Sequence, residues 1–160
     1  IILKRSGRES ILANLLQPIR DEYDMILIDC PSQNWIAMLN SFVASTSVLI
    51  PISCDSYAAE GLIQVTQMVS LAKYSFNPVV AVDGIVLTRY NSRRTLDSAI
   101  EKEVRNHYGD IVFKTRVREN SKLAQAALLN QDIFTYDPDC NGATDYSALL
   151  EELKLRLESI

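Results

Sequence analysis

Residues 23–32 read Tyr23-Asp24-Met25-Ile26-Leu27-Ile28-Asp29-Cys30-Pro31-Ser32, or YDMILIDCPS. Four apolar residues in succession, Met25 to Ile28, predict a strand buried on both faces, as in a parallel sheet covered by helices. Pro31 has no N–H and biases Cys30 away from the α region, so the strand is expected to end there. Asp29 then sits at the carboxyl end of a central strand, where open α/β sheets bind their ligands. In a nucleotide-binding fold such an aspartate holds a hydrated Mg²⁺ beside phosphates, the pattern of a Walker B strand running into a switch loop. A plainer role fits the same residues: Asp29 capping a helix that opens at Gln33. On the decapeptide alone both readings stay open.

The rest of the chain narrows the choice. Its 160 residues, 48% hydrophobic and 22% charged, suit one globular domain over residues 1–160 with a real core. No apolar run reaches the roughly 20 residues that cross a bilayer, so no membrane role is expected. Cys30, Cys54 and Cys140 share no metal-ligand spacing and fit a reducing, cytoplasmic setting. His107 is the single histidine, which argues against a histidine metal site or a Ser-His-Asp triad. The net charge is −4, yet Arg89 to Lys122 holds nine Lys/Arg against five Asp/Glu, so this stretch is +4 and the remainder −8. A locally basic stretch in an acidic chain points to a polyanion-facing surface.

Element by element, strands alternate with helices. Ser6 to Glu9 forms an S-x-x-E capping box, and Pro18 is expected to end or bend the helix that follows. Trp35, Met38, Leu39, Phe42 and Val43 mark a second helix. Val48 to Ile52 reads as a buried strand with Pro51 at its end. A helix from Asp55-Ser56 buries Leu62, Val65 and Val69. Val82 to Leu87 is the next strand, running into a polar loop, Thr88 to Arg94. Thr95 is placed to cap a helix whose Leu96, Ile100 and Val104 face inward. Ile111 to Phe113 is a short strand, Lys114 to Asn120 a loop, and Asp132 to Tyr136 extended. The last helix turns Tyr146, Leu149, Leu150, Leu153 and Leu157 inward. The expected class is α/β, with a mainly parallel sheet and helices on both faces.

Five stretches, YDMILIDCPS, SVLIPISCDSYAAEGL, GIVLTRYNSR, EVRNHYGDIVFKTRVREN and FTYDPDCNGATDY, follow in the order of a ParA/MinD-type partitioning ATPase. Together they resemble the carboxyl-terminal two-thirds of its Soj-like branch, a P-loop NTPase fold. The resemblance implies ATP and Mg²⁺ as cofactors, an ATP-bound homodimer, non-specific DNA binding near the nucleoid, and a ParB-like partner that stimulates hydrolysis. Asp29 would be the Walker B carboxylate, reaching Mg²⁺ through water, and Pro31 and Ser32 would belong to switch II. Thr88, Arg89 and Tyr90, with Val117, Arg118 and Glu119, would line the adenine and ribose. Arg89, Arg93, Arg94, Arg116 and Lys122 would face DNA. Glu60 fits the first turn of its helix by the dipole alone.

Departures from the family pattern carry weight too. The sequence holds no G-x-x-x-x-G-K-[ST] loop or lysine-rich variant of it. Ile1-Ile2-Leu3 reads as a strand cut open, so the amino-terminal part of the fold is expected to be missing. The 160 residues alone are expected not to bind ATP tightly or hydrolyse it, while the parent protein is an ATPase. A non-hydrolysing regulatory or binding module on the same fold is the alternative. Ser32, Val117-Arg118-Glu119 and Ala126-Ala127 stand where the family commonly carries prolines.

Overall fold

The computed structural model describes residues 7–31, 33–55 and 57–157. Two compact units emerge: residues 1–48 with 63–83, and residues 49–62 with 84–160. Among the described residues the elements are α1 (Ile11–Leu16), α2 (Trp35–Ala44), β1 (Ser47–Ser53), α3 (Ala58–Ser75), β2 (Ala81–Tyr90), α4 (Thr95–Tyr108), β3 (Val112–Arg118), α5 (Ser121–Leu128), α6 (Ile133–Tyr136) and α7 (Asn141–Leu157). The strands form a parallel sheet in the order β1-β2-β3.

In the first unit, amide side chains close the helix ends. Pro18 lies in the first turn of a 3₁₀ helix, Gln17–Glu22, that succeeds α1 as the sequence predicted. Asn40 accepts from Leu12 N at 3.1 Å and donates to Arg8 O at 2.8 Å, so α2 satisfies groups that α1 cannot. Asn34 caps α2 by accepting from Ala37 N. Asn77 donates to the carbonyls of Phe42, Val43 and Ser45, closing the other end of α2. The capping box at Ser6 lies outside the described residues.

Residues 25–31 correct the first expectation: they form no strand. Leu27 is 86% exposed and Met25 57% exposed, while Ile26, Ile28 and Cys30 are half-buried. A strand exists only through its neighbours' hydrogen bonds, and the described sheet contains β1, β2 and β3 alone. The apolar run therefore has one side open, its burial alternating with the period of a strand it does not complete.

The second unit holds the sheet from Leu49 and Gly84 onward. β1 alternates exposed and buried residues, rather than being buried throughout, and Pro51 sits within it on the exposed side. The edge position of β1 explains why a residue without an N–H is tolerated there. β2 and β3 run parallel, pairing Ile85 with Val112, Leu87 with Arg116 and Tyr90 with Arg118. Gly84 has no room for a side chain, since a Cβ would overlap the Phe113 ring and Leu49 Cδ1.

β3 extends to Arg118, through residues the sequence assigned to a loop. Its charged side chains hide the strand from a hydropathy reading. Carboxylates of α7 complete its other edge: Glu152 accepts from Lys114 N and Thr115 N, and Asp145 from Arg118 N, at 2.8–2.9 Å. Val86, Phe113 and Val117 form the core beneath, with Leu123, Leu149 and Leu153 packed against it. Of the predicted inner face of α7, Tyr146, Leu150 and Leu157 are exposed instead. Residues 133–136 are helical rather than extended because Asp132 caps them, accepting from Thr135 N at 2.8 Å.

Candidate functional site

Loops at the carboxyl ends of β2 and β3 meet at one edge of the sheet, as parallel strands require. Glu119 N donates to Tyr90 O at 3.0 Å, and Arg94 Nη2 bonds Glu119 Oε2 at 2.7 Å, stapling the loops together. Thr88 Oγ1 donates to Ile52 O at 3.0 Å. Arg89 is exposed and adopts φ +52°, the left-handed region that a non-glycine residue enters at a cost. Arg89 and Arg93 form no ion pair among the described residues.

Acidic residues that the hydropathy reading passed over lie behind this surface. Thr95 does not cap α4, and Leu96 is 48% exposed while Asp97 is fully buried in its place. Asp97 Oδ2 accepts from Asn91 N at 2.7 Å, whereas Asp97 Oδ1 has no hydrogen-bond partner. Glu101 receives Arg105 Nε and Arg116 Nε, each at 2.8 Å. Burial works against its charge, but bonds from Arg105 and Tyr90 and the positive charge of Arg116 hold its carboxyl below the ordinary range. The Arg116 guanidinium also stacks 5.0 Å over the Tyr90 ring. Burial, then the charges of Asp97, Glu101 and Asp55, push the Cys54 thiol up to about 11. The spacing Asp97-Glu101-Arg105, four residues apart on one helical face, was the available signal.

The sequence-predicted residues fall in different settings. Asp29 and Pro31 belong to the first unit, and Ser32 lies outside the described residues. The Asp29 carboxylate is exposed and makes no hydrogen bond or ion pair among the described residues. Thr88 to Arg94 and Val117 to Glu119 belong to the second unit. The Val117 side chain is buried in the core, which leaves its backbone for any ligand. Arg118 is engaged by Asp145 through three guanidinium contacts of 2.7–3.1 Å, which raise its pKa further. Arg94 pairs with Glu119, Arg116 with Glu101, and Lys122 with Asp137 at 3.5 Å. Glu60 lies in the first turn of α3.

No group of three or more metal-ligating side chains occurs among the described residues. An open, single carboxylate such as Asp29 suits a hydrated Mg²⁺, which keeps most of its waters and takes few protein ligands. Among the described residues no helix is long and apolar enough to cross a membrane.

A parallel sheet with helices and polar loops at its carboxyl edge defines an open α/β fold, the class whose ligands bind at that edge. The cobyrinic acid a,c-diamide synthase of Mycobacterium smegmatis, solved with bound ADP and magnesium, matches with TM-score 0.72 and 25% identity, over 96% of this chain and 57% of that one. The family described as AAA domain matches residues 1–82. The chromosome partitioning protein ParA of Myxococcus xanthus is 37% identical over 155 residues, 97% of this chain and 55% of the relative. The chromosome-partitioning ATPase Soj of Treponema pallidum is 36% identical over 155 residues, 97% of this chain and 61% of the relative. The chain belongs to this ParA/Soj-type family of partitioning ATPases. It spans under two-thirds of the length of these relatives.

Proposed function

We propose that the full-length protein is an Mg²⁺-dependent ATPase of chromosome or plasmid partitioning, which dimerises with ATP bound and then holds DNA without sequence preference. The likeness to ParA and Soj proteins along 97% of the chain carries this reading. In it, Asp29 orients water on Mg²⁺, and Pro31 and Ser32 belong to the loop that senses the γ-phosphate. Thr88, Arg89 and Tyr90, and the backbone of Val117 to Glu119, lie against the adenine and ribose. When bound, Mg²⁺ neutralises charge on the phosphates. Arg89, Arg93, Arg94, Arg116 and Lys122 are the candidates for DNA phosphates, and a ParB-like protein is the stimulating partner. The protein works in the cytoplasm, at the nucleoid. The 160 residues alone lack a phosphate loop in their sequence and are expected to turn over no ATP.

Phosphate release by the full-length protein, with and without DNA, tests the reading. Asp29→Ala is expected to remove turnover and leave the fold intact, because no neighbouring carboxylate replaces its charge near Mg²⁺. The helix-cap role that the sequence left open does not apply, since Asn34 caps α2 and Asp29 makes no hydrogen bond among the described residues. Unchanged turnover with an unchanged Tm would therefore remove Asp29 from the metal site. A full-length protein that binds ATP but never hydrolyses it would be a regulatory module on the same fold.

A further inference from the structure

Thr88 to Tyr90, which the sequence assigned to a loop, end β2, and the turn that follows to Arg94 is held by several hydrogen bonds. Asn91 donates its N–H to buried Asp97 and accepts Arg93 N on its own side chain at 3.1 Å, while Arg94 N returns to Asn91 O at 2.9 Å. Thr88 is tied to β1 and Arg94 to Glu119. Two costs accompany this rigidity. Asp97 is fully desolvated with one carboxylate oxygen unpartnered, and Arg89 is fixed in the left-handed region.

Asp97 lies inside α4, whose N-cap is Arg94, so its bond from Asn91 N does not cap the helix. Nor does the fold need an arginine at φ +52°, where glycine fits without strain. Arg89 keeps its guanidinium exposed, and its charge joins the Ser53 hydroxyl and Tyr57 N–H in holding the Asp55 carboxyl below its usual value. Costs that bring the fold no visible return mark a part shaped for a ligand.

We propose that Asp97 is a positioning residue: through the Asn91 N–H it holds the end of β2 and the turn to Arg94 so that strained Arg89 presents its guanidinium to a phosphate group. This rests on the proposed function only in supplying the two sources of phosphate, a nucleotide and a DNA backbone. Full-length protein carrying Asp97→Ala, Asp97→Asn or Arg89→Gly is compared with the unaltered protein. Binding of Mg-ATP and, separately, of duplex DNA is measured a fixed interval below each variant's own Tm.

Asp97→Ala is expected to weaken binding roughly tenfold in at least one arm, while Asp97→Asn, which keeps an acceptor for the Asn91 N–H, stays within roughly twofold. Arg89→Gly is expected to hold or raise Tm and to lose affinity in the same arm. A loss confined to one arm names the source of the phosphate. A folded Asp97→Ala that binds both ligands normally overturns the proposal, as does an Asp97→Asn that is equally damaged. Should Asp97→Ala not fold, Arg89→Gly decides, and its normal binding in both arms overturns the proposal. Failure of the unaltered protein to bind either ligand overturns the proposed function, and this inference with it.

Discussion

Glu101 and Glu152 carry the pH response of the second unit. Burial opposes the charge on each. For Glu101 the bonds from Arg105 and Tyr90 outweigh it, and for Glu152 the backbone N–H groups of Lys114 and Thr115 do. Both carboxyls are therefore lowered from an unfolded value of 4.5. A depressed folded pKa contributes stability that is fully present above the unfolded value and is lost as pH falls through the folded one. Urea midpoints measured from about pH 7 down to about pH 3 are expected to fall below about pH 4.5. Glu152→Gln is expected to lower the midpoint at neutral pH and to flatten that fall; a slope as steep as the unaltered protein's would remove Glu152 from the account. These acids were not legible in advance. A hydropathy reading placed Leu96 inside and gave Asp97 no role, because hydropathy says nothing of the backbone donor, Asn91 N, that accompanies its burial.

Among elements, legibility followed the source of the hydrogen bonds. α2, α3, α4 and β2 were readable as elements from their apolar spacing, although Trp35 of α2 and Leu96 of α4 are exposed and β2 runs on to Tyr90 instead of ending at Leu87. β3 was readable only at its apolar start, since its later residues are charged and its outer N–H groups bond to α7. Residues 25–31 failed in the opposite sense, being apolar enough for a strand but without a paired neighbour in the described sheet. Gly84, inside the strand predicted at Val82 to Leu87, leaves room for the Phe113 ring that a side chain would fill. Gly84→Ala is expected to destabilise the fold by about 1–3 kcal/mol, because the fully buried Phe113 ring has to shift to admit the methyl group. Calorimetric unfolding measures it. An unchanged Tm would mean that Phe113 can turn aside at no cost.

For the molecule as a whole, the parallel class and the meeting of the two basic loops at one sheet edge were legible, because they follow from strand order and connection geometry. The charge count was less informative than it looked. From Arg89 to Lys122 the sequence holds nine cations, but Arg94, Arg105, Arg116, Arg118 and Lys122 each face a carboxylate. A paired guanidinium must give up that partner before it can take a phosphate, whereas Arg89 and Arg93 have no ion pair to give up among the described residues. DNA affinity of the ATP-bound full-length protein should therefore draw unequally on these residues. Each cation that contacts a phosphate contributes about 0.9 unit to the log–log salt slope on duplex DNA. Arg89→Ala and Arg93→Ala together are expected to lower the slope by about two units, if both contact the backbone. Arg94→Ala or Arg116→Ala should each lower it by well under one unit, and Arg116→Ala should cost stability by leaving Glu101 short of a donor. Fluorescence anisotropy at several salt concentrations, with dimerisation checked in parallel, separates the two groups. A loss of about 0.9 unit for each of Arg94→Ala and Arg116→Ala, half that of the double variant, would mean that the ion pairs open on DNA, and that the surface binds as a field of charge rather than through Arg89 and Arg93.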